Sequence, residues 1–173
     1  LFQIFGAAAG DQCGTSVSGT GDINEDGFDD VIVGSIFATP EPIRNKGGIA
    51  YVIFGTATIV NVELAEFVSG GTLGFRMLGA SAFSYTGISV GGGGDVNGDG
   101  ISDVVVGAYG AGAGQRGIIY LIFGTARTFV DIDLLTVTSN PDIGYCVLGA
   151  AEGDNAGYSV SMAGDVNGDG IDD

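Results

Sequence analysis

The chain has 173 residues, of which 45% are hydrophobic and 15% charged, so it can fold around a sizeable core and does not have the composition of a disordered protein. Its net charge of −16 argues against nucleic-acid binding, because such a surface repels phosphate backbones. No apolar run approaches the roughly 18 residues of a membrane span. Two cysteines, Cys13 and Cys146, are too few for a disulfide framework, and we expect both to pack as small hydrophobic residues.

Short runs rich in Val, Ile, Tyr and Phe, bounded by Gly, Asn or Asp, predict β-strands throughout the chain. In chain order the expected strands are 2–6; then 15–21, 31–35, 49–54 and 74–79; then 88–94, 104–109, 118–123 and 144–149; and finally 158–164. The connectors 57–72 and 126–143 contain the matching segments Val62-Glu63-Leu64 and Ile132-Asp133-Leu134, so they are expected to have some structure. No stretch combines helical periodicity with caps.

The sequence repeats itself. The segment Phe2–Ala7 matches 75–80 and 145–150, and acidic stretches begin at Asp22, Asp95 and Asp165. These matches define units 1–73, 74–143 and an incomplete 144–173 within one domain spanning 1–173. Four strands in a unit of this length are typical of a β-propeller blade. The predicted fold is therefore all-β, a partial β-propeller of about two and a half four-stranded blades. Because propellers close with about 4–8 blades, we expect the remaining blades of a larger ring as partners.

The three acidic stretches share one pattern over nine residues. Oxygen-bearing side chains occupy positions 1, 3, 5 and 9, and glycine occupies position 6, where it permits a sharp turn. Calcium takes about 6–8 oxygen ligands, so we expect it to bind these side chains and the backbone carbonyl of position 7. The predicted metal ligands are Asp22, Asn24, Asp26, Phe28 and Asp30; Asp95, Asn97, Asp99, Ile101 and Asp103; and Asp165, Asn167, Asp169, Ile171 and Asp173.

Other interpretations of these loops are weaker. Magnesium demands stricter octahedral geometry, and zinc would need Cys or His ligands. An EF-hand would carry a glutamate at position 12, where this chain has Val33 and Val106. Plain polar turns would explain one such loop, since Asn-Gly and Asp-Gly favour turns, but not three at the same point of a repeat. Calcium affinities typical of extracellular modules, about 10⁻⁴–10⁻³ M, would be met outside cells, which predicts an extracellular or cell-surface location.

The chain resembles the FG-GAP repeats of integrin α-chains and of integrin-like proteins. The resemblance is carried by Gly14-Thr15-Ser16-Val17, Gly87-Ile88-Ser89-Val90 and Gly157-Tyr158-Ser159-Val160, each followed by an acidic nonapeptide. It implies that the nonapeptides are calcium loops between the first two strands of successive blades, in a seven-bladed parent. The phenylalanine of the family pattern is replaced by Cys13, Thr86 and Ala156, and the proline of Gly-Ala-Pro is missing. Phrases such as Gly-Asp-Val-Asn-Gly-Asp-Gly are more similar to bacterial or algal members.

Two apparent catalytic motifs have simpler explanations. The segment Gly87–Gly91 fits a nucleophile elbow, but the chain has no histidine to serve as base. The segment Gly112–Gly117 fits a dinucleotide fingerprint, but a strand is expected next instead of the required helix. The glycines of Gly91–Gly94 are expected to mark close strand packing near the propeller axis.

Three functions are compatible with these features. The first is a non-catalytic, calcium-binding propeller segment that serves cell adhesion or binds an extracellular protein, matrix or carbohydrate ligand. The second is a propeller module of a larger extracellular hydrolase, a phospholipase or a polysaccharide-degrading enzyme, whose catalytic domain lies outside this chain. The third, an open solenoid or β-roll, is the weakest because roll repeats are much shorter than these units.

Overall fold

A computed structural model describes residues 2–41, 44–58, 60–126 and 129–173. In these residues eleven strands form: β1 (Ile4–Phe5), β2 (Cys13–Gly21), β3 (Asp30–Ser35), β4 (Ile49–Ile53), β5 (Val62–Glu63), β6 (Gly74–Leu78), β7 (Val90–Gly94), β8 (Asp103–Ala108), β9 (Ile118–Ile122), β10 (Ile132–Asp133) and β11 (Gly144–Leu148). Short 3₁₀ turns occupy Leu64–Glu66, Ala113–Gln115 and Val137–Ser139. The connectors include residues 59, 127 and 128, which lie outside the described residues.

Two antiparallel four-stranded sheets account for most of these strands. Strands β2, β3, β4 and β6 form the first sheet, and β7, β8, β9 and β11 form the second, each in this order from one edge to the other. Strand β10 extends the first sheet by pairing parallel to β6, and β1 pairs with β5 in the same way. The predicted all-β architecture is confirmed: two complete propeller blades, each linked to its neighbour by a connector strand.

Burial explains why the strands carry such apolar sequences. Residues of β3, β4 and β8 are largely buried on both faces, as expected of a sheet sandwiched between neighbouring blades. The larger core lies between the two sheets and includes Ile23, Phe75, Val104 and Ile122. A smaller core, which includes Tyr51, Val62 and Leu64, lies between the first sheet and its connector.

The glycine run at the edge of the second sheet brings adjacent blades together. A Cβ atom on Gly92 would stand 2.8 Å from the Cα of Thr20 in β2, so any larger residue would push β2 and β7 apart. A Cβ atom on Gly91 would stand 3.3 Å from the Cα of Ser161. The predicted close strand packing at Gly91–Gly94 is therefore confirmed.

One predicted strand does not form. Residues 158–164 contain no strand, although the equivalent strands β2 and β7 are present in the first two repeats. Those strands pair with β3 and β8, which follow the acidic loops, whereas the third acidic loop ends at Asp173. Only the backbone pair Ala163 N–H to Asp173 O and Asp173 N–H to Gly164 O, both 3.0 Å, begins the ladder there. The expectation at 158–164 was wrong because a strand needs a partner to supply its hydrogen bonds.

The two cysteines are free and partly buried. Cys146 packs against the larger core and Cys13 against the smaller one, as expected of small hydrophobic residues.

Candidate metal centres

In the first two repeats, the acidic loop begins where the first strand of the sheet ends. Residues 22–29 join β2 to β3, and residues 95–102 join β7 to β8. In the first loop, Asp22 accepts the backbone N–H groups of Asp26 (Oδ1, 3.0 Å) and Gly27 (Oδ2, 2.8 Å). Asn24 Oδ1 also accepts the Asp26 N–H (3.0 Å), and Asp26 Oδ1 accepts the Phe28 N–H (2.9 Å). These bonds turn the oxygens of positions 1, 3 and 5 toward the inside of one tight turn.

The second loop repeats this arrangement almost atom for atom. Asp95 accepts the N–H groups of Asp99 (3.0 Å) and Gly100 (2.7 Å), and Asn97 accepts the Asp99 N–H (2.9 Å). Asp99 in turn accepts the N–H of Ile101 (2.9 Å). Two loops with different neighbours have therefore adopted one conformation, which the sequence pattern itself must favour.

The third loop shares the same bonds despite lacking a following strand. Asp165 accepts the N–H groups of Asp169 (3.1 Å) and Gly170 (2.8 Å), and Asp169 accepts the N–H of Ile171 (2.9 Å). Asn167 accepts the Asp169 N–H at 2.9 Å. These bonds within the loop thus form without a complete strand on either side of it.

Glycine at position 6 is required by the backbone of each loop. Gly27, Gly100 and Gly170 have φ of 91°, 90° and 91°, a conformation that side chains with a Cβ rarely adopt. Position 4 also has positive φ, and there Gly98 and Gly168 are replaced in the first loop by Glu25, with φ of 57°. The first loop therefore holds a non-glycine residue in a costly conformation.

The aspartate at position 9 is buried in the two complete repeats. Asp30 and Asp103 are 1% and 0% exposed. Asp30 accepts the N–H groups of Ile23 (3.0 Å) and Gly55 (2.7 Å), while Asp103 accepts those of Val96 (2.9 Å) and Gly124 (2.8 Å). Burial raises the pKa of each carboxyl to about 6, and the neighbouring loop aspartates add to this shift, although the N–H donors oppose it.

The residues of these loops suit a hard cation in part. Each loop directs carboxylate and amide oxygens of positions 1, 3 and 5 toward one turn, and such oxygens retain a lone pair beside an accepted N–H. Position 7, which is expected to offer a backbone carbonyl, is occupied by Phe28, Ile101 and Ile171. However, no group of three or more His, Cys, Asp or Glu side chains within the described ranges is arranged to hold a metal ion. The position 9 carboxylates are instead engaged with backbone N–H groups.

Sequence reasoning missed the groups that hold Asp30 and Asp103 in place. Gly55 and Gly124 follow β4 and β9 and donate the N–H groups that each carboxylate accepts. Their Phe-Gly-Thr phrases recur in both repeats, which was a visible signal, but only the fold shows that this segment meets the acidic loop.

The end of the blades away from the acidic loops carries a row of aromatic side chains. Rings of Tyr85 and Tyr109 stack with centroids 5.1 Å apart, and Tyr109 meets Tyr158 edge-on at 5.4 Å. Phe37 and Phe83 flank Tyr85 at 6.0 and 6.4 Å. We call these five residues the aromatic row. Tyr158 and Phe83 are 64% and 46% exposed, so the row is accessible to a partner.

The apparent nucleophile elbow has a structural role. Ser89 Oγ donates a hydrogen bond to the carbonyl of Gly157 (2.9 Å), and Ser16 Oγ does the same to Gly87 (2.7 Å). The serines of the first two repeats thus each bond to the repeat that follows. The dinucleotide-like segment contains only a three-residue 3₁₀ turn before β9, so the predicted strand is confirmed there.

Repeated four-stranded antiparallel sheets with an acidic turn between their first two strands are typical of β-propeller blades. The FG-GAP repeat family model matches residues 14–53 and 86–122. The chain is an integrin-α-like FG-GAP segment. It is similar to integrin alpha-2 of Bos taurus, with 38% identity over 98 residues. The aligned region covers 56% of this chain and 8% of that protein. It is also similar to integrin alpha pat-2 of Caenorhabditis elegans, with 30% identity over 168 residues. The aligned region covers 95% of this chain and 13% of that protein.

The chain thus spans roughly a tenth of the length of these relatives. A third relative, integrin alpha-E of Mus musculus, is 33% identical over 96 residues, 55% of this chain and 8% of that protein. These three relatives are animal proteins, and the expected similarity to bacterial or algal members stays a prediction. None of the helical segments in the described residues has the length and apolar character needed to cross a membrane.

Proposed function

We propose that this chain is a non-catalytic, calcium-stabilised propeller segment that presents a binding surface for an extracellular protein in cell adhesion. The observation that carries this proposal is the shared hydrogen-bond pattern of the three acidic loops. In every copy, backbone N–H groups orient the oxygens of positions 1, 3 and 5 toward one turn. Asp and Asn side chains also stabilise plain turns in this way, but three of them at one turn, repeated in all three copies, favour a cation site.

The calcium ligands proposed are those expected from the sequence, at positions 1, 3, 5, 7 and 9 of each loop. When bound, calcium would neutralise carboxylates that otherwise repel one another in a chain of net charge −16. Binding only to the folded chain would stabilise it by about 2.7 kcal/mol per site at a hundredfold excess over Kd. The loop residues would then fix the ends of β2 and β7 that precede the acidic loops. Through these strands they would also hold the other end of the blades, where the aromatic row lies.

An extracellular or cell-surface location follows from the same chemistry. Loops with affinities of about 10⁻⁴–10⁻³ M are filled by the millimolar calcium outside cells and not by submicromolar cytosolic calcium. The names of the relatives agree with this location, since they are integrin α-chains.

The aromatic row is the surface that we propose for the protein ligand. Phe83 and Tyr85 have φ of 58° and 53°, a strained conformation for bulky residues. The corresponding positions of the other repeats hold Gly10 and Gln12, and Gly153 and Asn155, also with positive φ. The turn therefore needs residues that tolerate this conformation, yet the middle repeat places two large aromatic rings there. Aromatic side chains of this kind are enriched in protein interfaces, which supports a role in recognition.

Further blades of a larger propeller are the other proposed partners. An apolar cavity of about 310 Å³ lies between β1, β5 and the first sheet, lined in part by Phe2, Ile4, Val31 and Ile53. At the equivalent place beside the second sheet, the side chain of Ile23 from the first acidic loop is fully buried. The cavity thus has the shape and lining to accept the second residue of an acidic loop from a preceding blade.

Isothermal titration calorimetry with calcium tests the metal proposal. We expect the unmodified chain to bind calcium, and Asp26→Ala and Asp99→Ala each to remove one site from the measured stoichiometry. Asp142→Ala is the matched control, because Asp142 is an exposed aspartate outside the acidic loops. The proposal fails if the chain gives no calcium-dependent heat, or if Asp142→Ala reduces the stoichiometry as much as the loop variants do.

A further inference from the structure

The third acidic loop contacts the first residue of the second. Asp172, at position 8 of its loop, accepts the backbone N–H of Asp95 through Oδ2 at 2.9 Å. The Asp172 N–H in turn donates to the carbonyl of Asp95 at 3.2 Å. A Cβ atom on Gly94 would stand 3.3 Å from the Cβ of Asp172, so glycine at that position lets the two loops approach. The backbone of the first proposed ligand of one site is therefore fixed by the next loop.

A corresponding path joins the first loop to the second. The carbonyl of Ile23, between Asp22 and Asn24, accepts the N–H of Thr125 at 3.1 Å. The preceding residue, Gly124, donates its N–H to Asp103 of the second loop at 2.8 Å. Ser102, the position 8 residue of the second loop, packs against Gly21, which precedes Asp22. Each loop thus contacts the loop before it at the same place in the repeat.

These contacts give metal binding at one loop a physical route to its neighbour. Asp95 accepts two N–H groups of its own turn, so its carboxylate direction depends on where its backbone lies. Asp172 holds that backbone only while its own loop keeps its shape. Closing the third loop around an ion fixes Asp173 and hence Asp172 beside it, which lowers the conformational entropy that the second loop must lose on binding.

We propose that Asp172 is a positioning residue for the calcium site of the second loop and that it couples that site positively to the site of the third loop. The proposal rests on the calcium binding proposed above. Asp172 is not a ligand in this arrangement. It acts by fixing the Asp95 backbone, so an uncharged side chain with an oxygen acceptor should substitute for it.

Two-dimensional NMR with ¹⁵N-labelled chain can isolate the second site. The Gly100 amide donates to Asp95 Oδ2 at 2.7 Å, so its resonance reports calcium binding at that loop. We expect Asp172→Ala to raise the calcium concentration at half-saturation of Gly100 about fivefold, at the lower end of typical couplings between sites. Asp169→Ala, which disables the third site, should raise it by a similar factor. The double variant should match Asp172→Ala alone, because the coupling route is already broken.

Two further variants separate positioning from charge. Asp172→Asn keeps an acceptor oxygen for the Asp95 N–H, so its Gly100 midpoint should stay close to that of the unmodified chain. Asp29→Ala removes an aspartate from the same repeat position of the first loop and should also leave Gly100 unchanged. Equal effects of Asp172→Ala and Asp172→Asn, or independent effects of Asp172→Ala and Asp169→Ala that multiply, would overturn the coupling. Absence of any calcium-dependent shift at Gly100 in the unmodified chain would instead refute calcium binding at this site.

Discussion

The connector between β9 and β11 of the second blade is held to the first blade by a hydrogen-bonded ion pair, and loss of this ion pair should destabilise the whole segment. Asp131 Oδ1 accepts a hydrogen bond from the backbone N–H of Arg76 (3.0 Å). Asp131 Oδ2 accepts hydrogen bonds from the Nε–H (3.0 Å) and Nη2–H (2.5 Å) groups of the Arg76 side chain. The Asp131 side chain is only 10% exposed and that of Arg76 is 29% exposed. In the preceding repeat the same clamp consists of Asn61, whose Oδ1 accepts the Gln3 N–H at 3.0 Å.

This equivalence supplies graded variants. Asp131→Asn keeps the bond to the Arg76 N–H but loses the charged pair, as in the Asn61 clamp. We expect it to lower the free energy of unfolding by about 1–2 kcal/mol, more than an exposed ion pair contributes and less than the loss from breaking a fully buried one. Asp131→Ala also leaves the backbone N–H without its acceptor and should cost about 2–3 kcal/mol. The double variant Arg76→Gln with Asp131→Asn should lose less than the sum of its parts.

Urea unfolding followed by circular dichroism measures these differences. Asp142→Asn, which removes an exposed carboxylate from the same connector, is the control for the change in net charge. If Asp131→Asn is as stable as the Asp142→Asn control, the reasoning is refuted.

Three further predictions concern the loops and the core. Without calcium the chain should be more stable near about pH 5 than near about pH 7.5, by about 1 kcal/mol for each of Asp30 and Asp103. Burial raises the pKa of each carboxyl in the folded chain to about 6, above the ordinary 3.8. The folded state therefore holds these protons more tightly than the unfolded state, and this contribution to stability is lost as pH rises through about 6. Urea unfolding in a chelator at both pH values checks this, and a higher stability at the upper pH would contradict it. Glu25→Gly should raise the free energy of unfolding by up to about 1 kcal/mol, because glycine adopts the positive φ of this position without strain. An unchanged midpoint of urea unfolding would count against strain there. Phe129→Ala should lower the free energy of unfolding by about 3 kcal/mol, because the Phe129 ring is buried and stacks on that of Phe75 with centroids 4.2 Å apart. The control Val130→Ala, at an exposed residue, should change it little. Equal losses in urea or thermal unfolding would argue against the placement of Phe129 in the core.

Local chemistry made much of the fold predictable. Segments that are rich in β-branched residues and bounded by glycine form strands at every predicted position but one, with ends shifted by a few residues. The acidic nonapeptides adopt one shape because their bonds join residues within the loop, such as Asp95 to Gly100. The strand expected at 158–164 did not form, because strand formation depends on a partner and not on composition alone.

Contacts between repeats could not be read from the sequence in the same way. The pairing of Arg76 with Asp131 spans 55 residues, and that of Arg44 with Asp133 spans 89, so neither has a local signal. The role of Gly124 as the donor to Asp103 is likewise visible only when β9 is placed beside β8. Repetition did indicate which segments matter, but the fold was needed to show which of them meet.

The central claim is that each acidic loop closes around calcium, and an anomalous difference map from a crystal grown in millimolar calcium tests it most directly. We expect one peak inside each of the first two loops, within ligand distance of Asp22, Asn24 and Asp26 and of Asp95, Asn97 and Asp99, with a third and weaker peak in the loop that ends at Asp173. Loops without a peak, with their carboxylates bonded to backbone N–H groups alone, would contradict it.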